Sequence, residues 1–121
     1  MTRLMTLLVS LILATGALAH GPAKGANGGN QVDAGDYHVE MVPSGSTLTL
    51  YVNDKNEKPI DAKGLRAIGL FVIDGKAQRI ELISTGTNKL TGTSQVALPA
   101  ALKGTVQISL QDGKTVQAKF D

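Results

Sequence analysis

The sequence predicts an all-β fold, a small antiparallel β-sandwich or barrel of seven to eight strands. Short runs of alternating apolar and polar residues recur at the spacing typical of such folds, and turn signals separate them. Asp74-Gly75 and Asp112-Gly113 are strong hairpin signals, because aspartate and glycine accept the positive φ that tight turns require. The chain of 121 residues has no cysteine, so the fold must depend on its apolar core without disulfide bonds.

Residues 1–19 have the organisation of a secretory signal peptide. Arg3 precedes an apolar run over 4–13, and Ala17-Leu18-Ala19 matches the small-residue pattern that signal peptidase cleaves. The apolar run is shorter than the roughly 20 residues that a bilayer span requires. We therefore expect cleavage after Ala19, a periplasmic protein and no stable membrane span in the mature chain. The alternative is a retained N-terminal helix.

The next segment, residues 20–35, is rich in glycine and poor in apolar side chains. Such a composition buries little surface and retains much chain entropy. We predict a flexible N-terminal segment ahead of a β-domain over residues 36–121. The segment is either a simple tail or a hinge that lets His20 fold back onto the domain.

Two hairpins frame the predicted domain. The first pairs residues 37–42 with 47–52, across a turn that contains Pro43 and Gly45. The second pairs residues 105–110 with 115–120 at the end of the chain. Both hairpins alternate apolar and polar side chains, which predicts one buried face for each.

The middle of the chain is more apolar. Residues 64–73 have too few polar side chains for a strand with one wet face, so we predict a central strand covered on both sides and paired with 77–83. Residues 88–93 and 95–98 are weaker strand candidates. The predicted core is Val39, Met41, Leu48, Leu50, Val52, Ile68, Leu70, Val72, Ile80, Leu82, Val106, Ile108, Leu110, Val116 and Phe120.

Composition excludes several functions. Once Arg3 is removed, eleven of the twelve basic residues remain against ten acidic ones, a net charge of +1 with the lysines scattered along the chain. This balance excludes a nucleic-acid partner. No nucleophile elbow, phosphate loop or Ser-His-acid grouping is evident, so we expect a protein that is not an enzyme.

The one chemical signal is a pair of histidines. Cleavage after Ala19 makes His20 the first residue, and its free amine and Nδ1 can then chelate a metal ion. His38, the second histidine, adds another imidazole, and nitrogen donors in such a planar set favour Cu(II), with zinc or another divalent ion as alternatives. Glu40 shares a strand face with His38 and serves as a weaker ligand or orients its ring, as do Asp33 and Asp36 just upstream.

The same residues have plainer interpretations. His38 and Glu40 form an exposed ion pair in one of them, and the histidines are then incidental. Met41 points to the opposite strand face, where core packing takes precedence over a role as a soft Cu(I) ligand.

Several short motifs carry a resemblance to a known family. They are His20-Gly21-Pro22, Asn27-Gly28-Gly29, Val32-Asp33-Ala34-Gly35, Tyr37-His38-Val39-Glu40, Leu50-Tyr51-Val52-Asn53-Asp54 and Lys58-Pro59. Across residues 20–59 the chain resembles small periplasmic proteins associated with heavy-metal efflux and the N-terminal metal-facing segments of efflux adaptor subunits. The resemblance implies binding of copper, silver or zinc-type ions and carries over to His20, His38 and Glu40. The chain departs from soft-metal chaperones because it lacks cysteine and a methionine cluster.

Three functions therefore compete. The first is a periplasmic metal-binding accessory protein, a buffer or carrier linked to heavy-metal resistance, with an envelope efflux-pump subunit as a possible partner. The second is a protein-interaction β-domain of the cell envelope that binds no metal. A copper-oxidising enzyme ranks last, because the chain has only two tyrosines, two phenylalanines and no tryptophan to form a substrate platform.

Overall fold

A computed structural model describes residues 23–121, which fold as one antiparallel sheet of nine strands. The predicted leader and His20 lie outside the described residues. The strands are β1 (Ala23–Lys24), β2 (Asn30–Ala34), β3 (Tyr37–Ser44), β4 (Thr47–Asp54), β5 (Arg66–Ile73), β6 (Lys76–Gly86), β7 (Lys89–Thr93), β8 (Gly104–Ser109) and β9 (Thr115–Phe120). In this part of the chain no helix is long and apolar enough to cross a bilayer. The all-β prediction is confirmed.

The sheet has the order β1-β2-β3-β4-β7-β6-β5-β8-β9 and curls into a half-barrel. The curl brings β9 close to β2, although these two strands do not pair. A Cβ atom added to Gly35, just after β2, would lie 3.2 Å from Cγ1 of Val116 on β9. The concave side of the sheet therefore encloses one apolar core.

Most of the predicted core is confirmed. Side chains from five strands are buried there as predicted: Val39, Met41, Leu48, Leu50, Val52, Ile80, Leu82, Val106, Ile108 and Phe120. Leu110 and Val116 are partly buried and pack against this cluster. The predicted hairpin at Asp74-Gly75 is also confirmed, because both residues have positive φ and Ile73 pairs with Lys76.

The prediction for β5 is wrong, because only one of its faces is covered. Phe71 is buried, whereas Ile68, Leu70 and Val72 are 36%, 58% and 68% exposed. The aromatic ring sets this orientation. Added Cβ atoms on Gly69 and Gly104 would lie only 2.3 and 2.5 Å from ring atoms of Phe71, so these glycines leave the space that the ring fills.

The sheet extends further towards the N-terminus than the sequence predicts. Strands β1 and β2 lie in the segment 20–35, for which we expected flexibility, and β2 pairs with β3 along Asn30–Ala34. Residues 95–98, one of the two weaker strand candidates, form no strand. Residues 23–121 thus contain nine strands, two of them within the segment 20–35.

Candidate metal-binding site around His38

His38 lies on β3, where its backbone neighbours are Asp33 on β2 and Asn53 on β4. The side chain is 23% exposed, so one part of the ring faces solvent. Alternation along β3 places Val39 and Met41 in the core and puts His38 on the opposite, outer face of the sheet. Both ring nitrogens can therefore contact polar groups.

Two carboxylates contact the ring, one at each nitrogen. Nε2 lies 3.2 Å from Oδ1 of Asp33, and Nδ1 contacts Oε1 of Glu57. Gln31 donates from Nε2 to the same Glu57 oxygen at 3.1 Å. A carboxylate ion only accepts hydrogen bonds, so Nδ1 donates to Glu57. Asp33 also only accepts, so Nε2 donates to it in the doubly protonated ring, whereas in the neutral ring the Nε2 lone pair faces the Asp33 oxygen without a hydrogen bond.

Glu57 reaches the ring from an unusual backbone position. Its φ is +61°, in the left-handed region, and it occupies the fourth place of the turn at residues 54–58. The turn is closed by hydrogen bonds from Asp54 N to Lys58 O at 2.8 Å and from Glu57 N to Asp54 O at 3.1 Å. Left-handed conformations are costly for residues other than glycine, and asparagine or aspartate is tolerated best among them.

Glu40 makes hydrogen bonds that the sequence does not predict. Its side chain is on the outer face of β3 like that of His38, but it is only 2% exposed and lies beneath the turn at residues 25–29. Its oxygens accept hydrogen bonds from the backbone N–H of Asn27 at 3.0 and 3.1 Å, from Nδ2 of Asn27 at 3.0 Å and from the backbone N–H of Gly29 at 2.7 Å.

These bonds direct the Glu40 carboxylate towards Asn27 and Gly29, whereas the contacts of the His38 ring are with Asp33 and Glu57. The carboxylate thus fixes the turn between β1 and β2, and the assignment of Glu40 as a metal ligand or ring partner stays a prediction. Burial of the charge is tolerated because three donors share it. Within residues 23–121 no buried side-chain nitrogen or oxygen lacks a hydrogen-bond partner.

The chain enters the described structure near His38. Ala23 pairs with Gln31, whose side-chain nitrogen lies 3.3 Å from Nδ1 of His38. Because β1 runs antiparallel to β2, the direction from Lys24 to Ala23 leads from the level of Asn30 towards that of Asp33. His20 lies outside the described residues, but only Gly21 and Pro22 separate it from Ala23, a span of at most about 10 Å.

Among residues 23–121, no three side chains of the His, Cys, Asp or Glu type converge on one point. Asp33 and Glu57 contact opposite nitrogens of the same ring, so one ion cannot join both to it. Met41 is buried in the core, which agrees with its predicted packing role.

Sequence reasoning missed Glu57 and Gln31. Glu57 is nineteen residues from His38, and only the three-dimensional turn brings the two together. A signal does exist in the residue pattern, because Asn53-Asp54-Lys55-Asn56-Glu57-Lys58 has a glutamate where the comparable hairpin turn at Gln111-Asp112-Gly113-Lys114 has glycine.

No protein-family model, curated protein or solved structure matches this chain.

Proposed function

We propose that the mature chain is a periplasmic metal-binding accessory protein, a non-enzymatic buffer or carrier of Cu(II) linked to heavy-metal resistance or efflux. The ion is its cargo, and an envelope efflux-pump subunit is the proposed receiver. One observation carries the proposal: Nε2 of His38 faces the carboxylate of Asp33 on β2, the strand that also pairs with β1.

The proposed ligands come from both ends of the segment 20–38. The amine and Nδ1 of His20 supply two nitrogens, and Nε2 of His38 supplies the third. Asp33 replaces Glu40 as the oxygen donor. Imidazole, amine and carboxylate donors in a planar arrangement suit Cu(II) among the common divalent ions.

The distance between Nε2 of His38 and Oδ1 of Asp33 supports this ligand set. Two ligands at about 2.1 Å from one ion lie roughly 3 Å apart when they are neighbours in its coordination plane. The observed separation is 3.2 Å. Asp33 is 85% exposed, so its side chain can rotate to admit an ion at little cost in packing.

Glu57 has a supporting role in this proposal. A histidine that binds metal through one nitrogen commonly donates from the other to a carboxylate, which fixes the tautomer and the ring orientation. Glu57 contacts Nδ1 and leaves Nε2 for the ion. Gln31 in turn holds the Glu57 carboxylate in place.

A calorimetric titration of the exported protein with Cu(II) tests the proposal. Mass spectrometry first establishes that the mature chain begins at His20. We expect one ion per chain, and His38→Gln should weaken binding by more than the roughly 10- to 100-fold that loss of an outer-shell partner costs. Glu40→Gln is the matched control on the same strand, and its folded fraction should bind Cu(II) with unchanged affinity. Equal affinities for wild type and His38→Gln would contradict the proposal.

A second function is favoured by a separate observation. The outer face of β5 exposes large apolar side chains, which is typical of a surface that contacts another protein. On this alternative the chain is an interaction β-domain of the envelope that binds no metal. A titration in which no amide resonance moves on addition of Cu(II) or Zn(II) would favour it over the first proposal.

A further inference from the structure

Asn27 is the one asparagine of the chain that is followed by glycine, Gly28. Asparagine is a thermolabile residue. Its side-chain amide is most open to attack before glycine, because glycine has no Cβ and its backbone nitrogen can approach the asparagine Cγ closely. Both residues are exposed in the turn at residues 25–29, where water reaches them. Sequence and exposure together make Asn27 a candidate for deamidation.

Deamidation of Asn27 requires no reagent other than water. The backbone nitrogen of Gly28 attacks Cγ of Asn27 and gives up its proton, the bond from Cγ to Nδ2 breaks, and ammonia leaves with that proton. The product is a cyclic succinimide. Water then adds to either ring carbonyl and opens the ring to aspartate or to isoaspartate, in which the main chain is longer by one carbon atom. The net change is water in and ammonia out, without transfer of electrons.

The fold holds both reacting groups in hydrogen bonds. Nδ2 of Asn27 donates to Oε1 of Glu40 at 3.0 Å, and the backbone N–H of Gly28 donates to the carbonyl of Gly25 at 3.1 Å. Attack requires the Gly28 nitrogen to turn towards the side chain of Asn27, and each of these bonds opposes that rotation. A hydrogen bond to an ionised acceptor is stronger than one between neutral groups, so Glu40 restrains the reaction until the turn opens.

The products do not fit the place that the asparagine occupies. A carboxylate at position 27 puts an oxygen where Nδ2 lies, 3.0 Å from Oε1 of Glu40, and Glu40 is buried. Two negative charges at this distance repel each other, more strongly in a buried setting than in water. The turn also has no space for the longer chain of isoaspartate, because a Cβ atom added to Gly25 would overlap Glu40 and one added to Gly29 would overlap the carbonyl oxygen of Met41.

Strand β1 depends on this turn for its place in the sheet. It is the first strand in the sheet order and pairs with β2 through Ala23 and Lys24 alone. Both of these residues are exposed, so β1 buries little surface of its own. A pairing of two residues is too short to be stable without support from its turn. Loss of the turn at residues 25–29 therefore detaches β1.

We propose that Asn27 is a deamidation site restrained by Glu40, and that its conversion to aspartate or isoaspartate releases β1 from β2. Loss of ammonia makes the change irreversible, so it divides the protein into two populations that differ at this edge of the sheet. The proposed Cu(II) ligands His20, His38 and Asp33 take no part in the reaction. The inference therefore holds whether or not the chain binds a metal ion.

Peptide mass spectrometry of the exported protein, incubated at mildly alkaline pH, tests the restraint. We expect Asn27 to lose its amide at least about tenfold more slowly in the folded wild type than in the same protein unfolded by urea. Glu40→Ala should remove most of this difference, and Glu40→Gln, which retains an acceptor oxygen, should remove less. Equal rates for the folded and the unfolded wild type would overturn the proposal.

A matched control separates the restraint from global stability. Leu82→Ala removes a buried side chain of β6, a strand that does not pair with β1, β2 or β3. Its loss of stability is comparable to that expected for Glu40→Ala, but the turn at residues 25–29 is unchanged. Asn27 should therefore deamidate in Leu82→Ala at the rate of the folded wild type. Equal rates for Glu40→Ala and Leu82→Ala would show that Glu40 does not restrain the reaction and would overturn the proposal.

Asn27→Asp tests the release of β1, because this variant carries the product carboxylate from the start. We expect the amides of Ala23 and Gln31, which are paired across β1 and β2, to exchange hydrogen at least about tenfold faster than in the wild type. Amides of β5 should keep their rates. Asn27→Ala removes the bond from Nδ2 without adding a charge and should have a smaller effect. Wild-type exchange at both residues in Asn27→Asp would overturn the proposed release.

Discussion

The turn at residues 54–58 and the turn at residues 110–114 have the same backbone and different chemistry. Both close with hydrogen bonds of 2.8 and 3.1 Å between corresponding atoms. Both place the fourth residue in the left-handed region, with φ of +61° for Glu57 and +83° for Gly113. Glycine adopts this conformation without strain, whereas a glutamate there costs roughly 1–2 kcal/mol.

The difference is that position 57 carries a carboxylate in a conformation that favours glycine, and this carboxylate contacts His38. Glu57 is 55% exposed, and a solvent-exposed ion pair contributes less than about 1 kcal/mol. The contact with His38 therefore stabilises the fold by less than the backbone strain costs. Strained residues of this kind cluster at functional sites, and orientation of the His38 ring is the function that the contacts of Glu57 indicate.

The largest loss of stability is expected at a third turn with the same backbone hydrogen bonds. Residues 25–29 close with the same pair of hydrogen bonds and have Gly28 in the left-handed place, but the turn rests on the buried carboxylate of Glu40. Glu40→Ala leaves the N–H groups of Asn27 and Gly29 without their charged acceptor. We expect a loss of roughly 3 kcal/mol in the free energy of unfolding, measured by urea denaturation.

Hydrogen exchange locates that loss. The amides of Asn27 and Gly29 should exchange much faster in Glu40→Ala, while those of β5 change only with global stability. Glu40→Gln retains one acceptor oxygen and should lose less. A loss below about 1 kcal/mol for Glu40→Ala would show that water replaces the carboxylate and that the turn stands without it.

Gly113 occupies, in the turn at residues 110–114, the position that Glu57 has in the turn at residues 54–58. Gly113→Glu introduces the strain of position 57 without a histidine to receive the carboxylate. We expect the unfolding free energy to fall by about 1–2 kcal/mol, with unchanged affinity for Cu(II). Gly113→Asn, which tolerates the left-handed region, should lose less. An unchanged denaturation midpoint for Gly113→Glu would remove the argument that Glu57 is strained.

The converse substitution places glycine at position 57. Glu57→Gly relieves the backbone and removes the His38 contact, so the unfolding free energy should rise by about 0.5–1 kcal/mol. Affinity for Cu(II) should fall roughly tenfold, because the ring loses its outer-shell partner. Glu57→Asn is the matched control, since it relieves much of the strain while keeping a short polar side chain. A Glu57→Gly variant that is stabilised and binds Cu(II) with wild-type affinity would show that Glu57 does not support the metal site.

The smallest change in stability is expected at Asp33. The side chain is mostly exposed, so Asp33→Asn should alter the unfolding free energy by no more than about 0.5 kcal/mol. Affinity for Cu(II) should nevertheless fall, because the amide is a poorer ligand than the carboxylate. Asp36→Asn provides the control, as Asp36 pairs with Lys55 at 3.7 Å and does not contact the ring. Equal affinities for the two variants would exclude Asp33 as a ligand.

Local patterns sufficed to predict much of the fold. The hairpin at Asp74-Gly75 follows from the turn residues themselves, and alternation correctly identified the buried side chains of β4. The orientation of β5 did not follow, because both faces of that strand are apolar. Its inward side is decided by the fit of Phe71 against Gly104, which belongs to a strand more than thirty residues away.

The site was predictable only in part for the same reason. His38 is identified by residue type, and the pairing of Asp33 with it follows from a regular hairpin. Glu40 is bound by the turn at residues 25–29, whereas Glu57 contacts His38 from the turn at residues 54–58. Alternation along β3 contains no information about the position of either turn. Glu40, on the same strand as His38, is buried under a turn, and the carboxylate at Nδ1 of His38 belongs to Glu57 instead.

The proposed Cu(II) site is defined by the number of nitrogen donors around the ion. Electron paramagnetic resonance of the exported protein loaded with one equivalent of Cu(II) counts those donors through their hyperfine splitting. We predict three nitrogens in the wild type and two in His38→Gln, with the same loss of one nitrogen when the His20 amine is acetylated, because acetylation removes that donor without supplying another. A spectrum that neither change alters would contradict the proposed site.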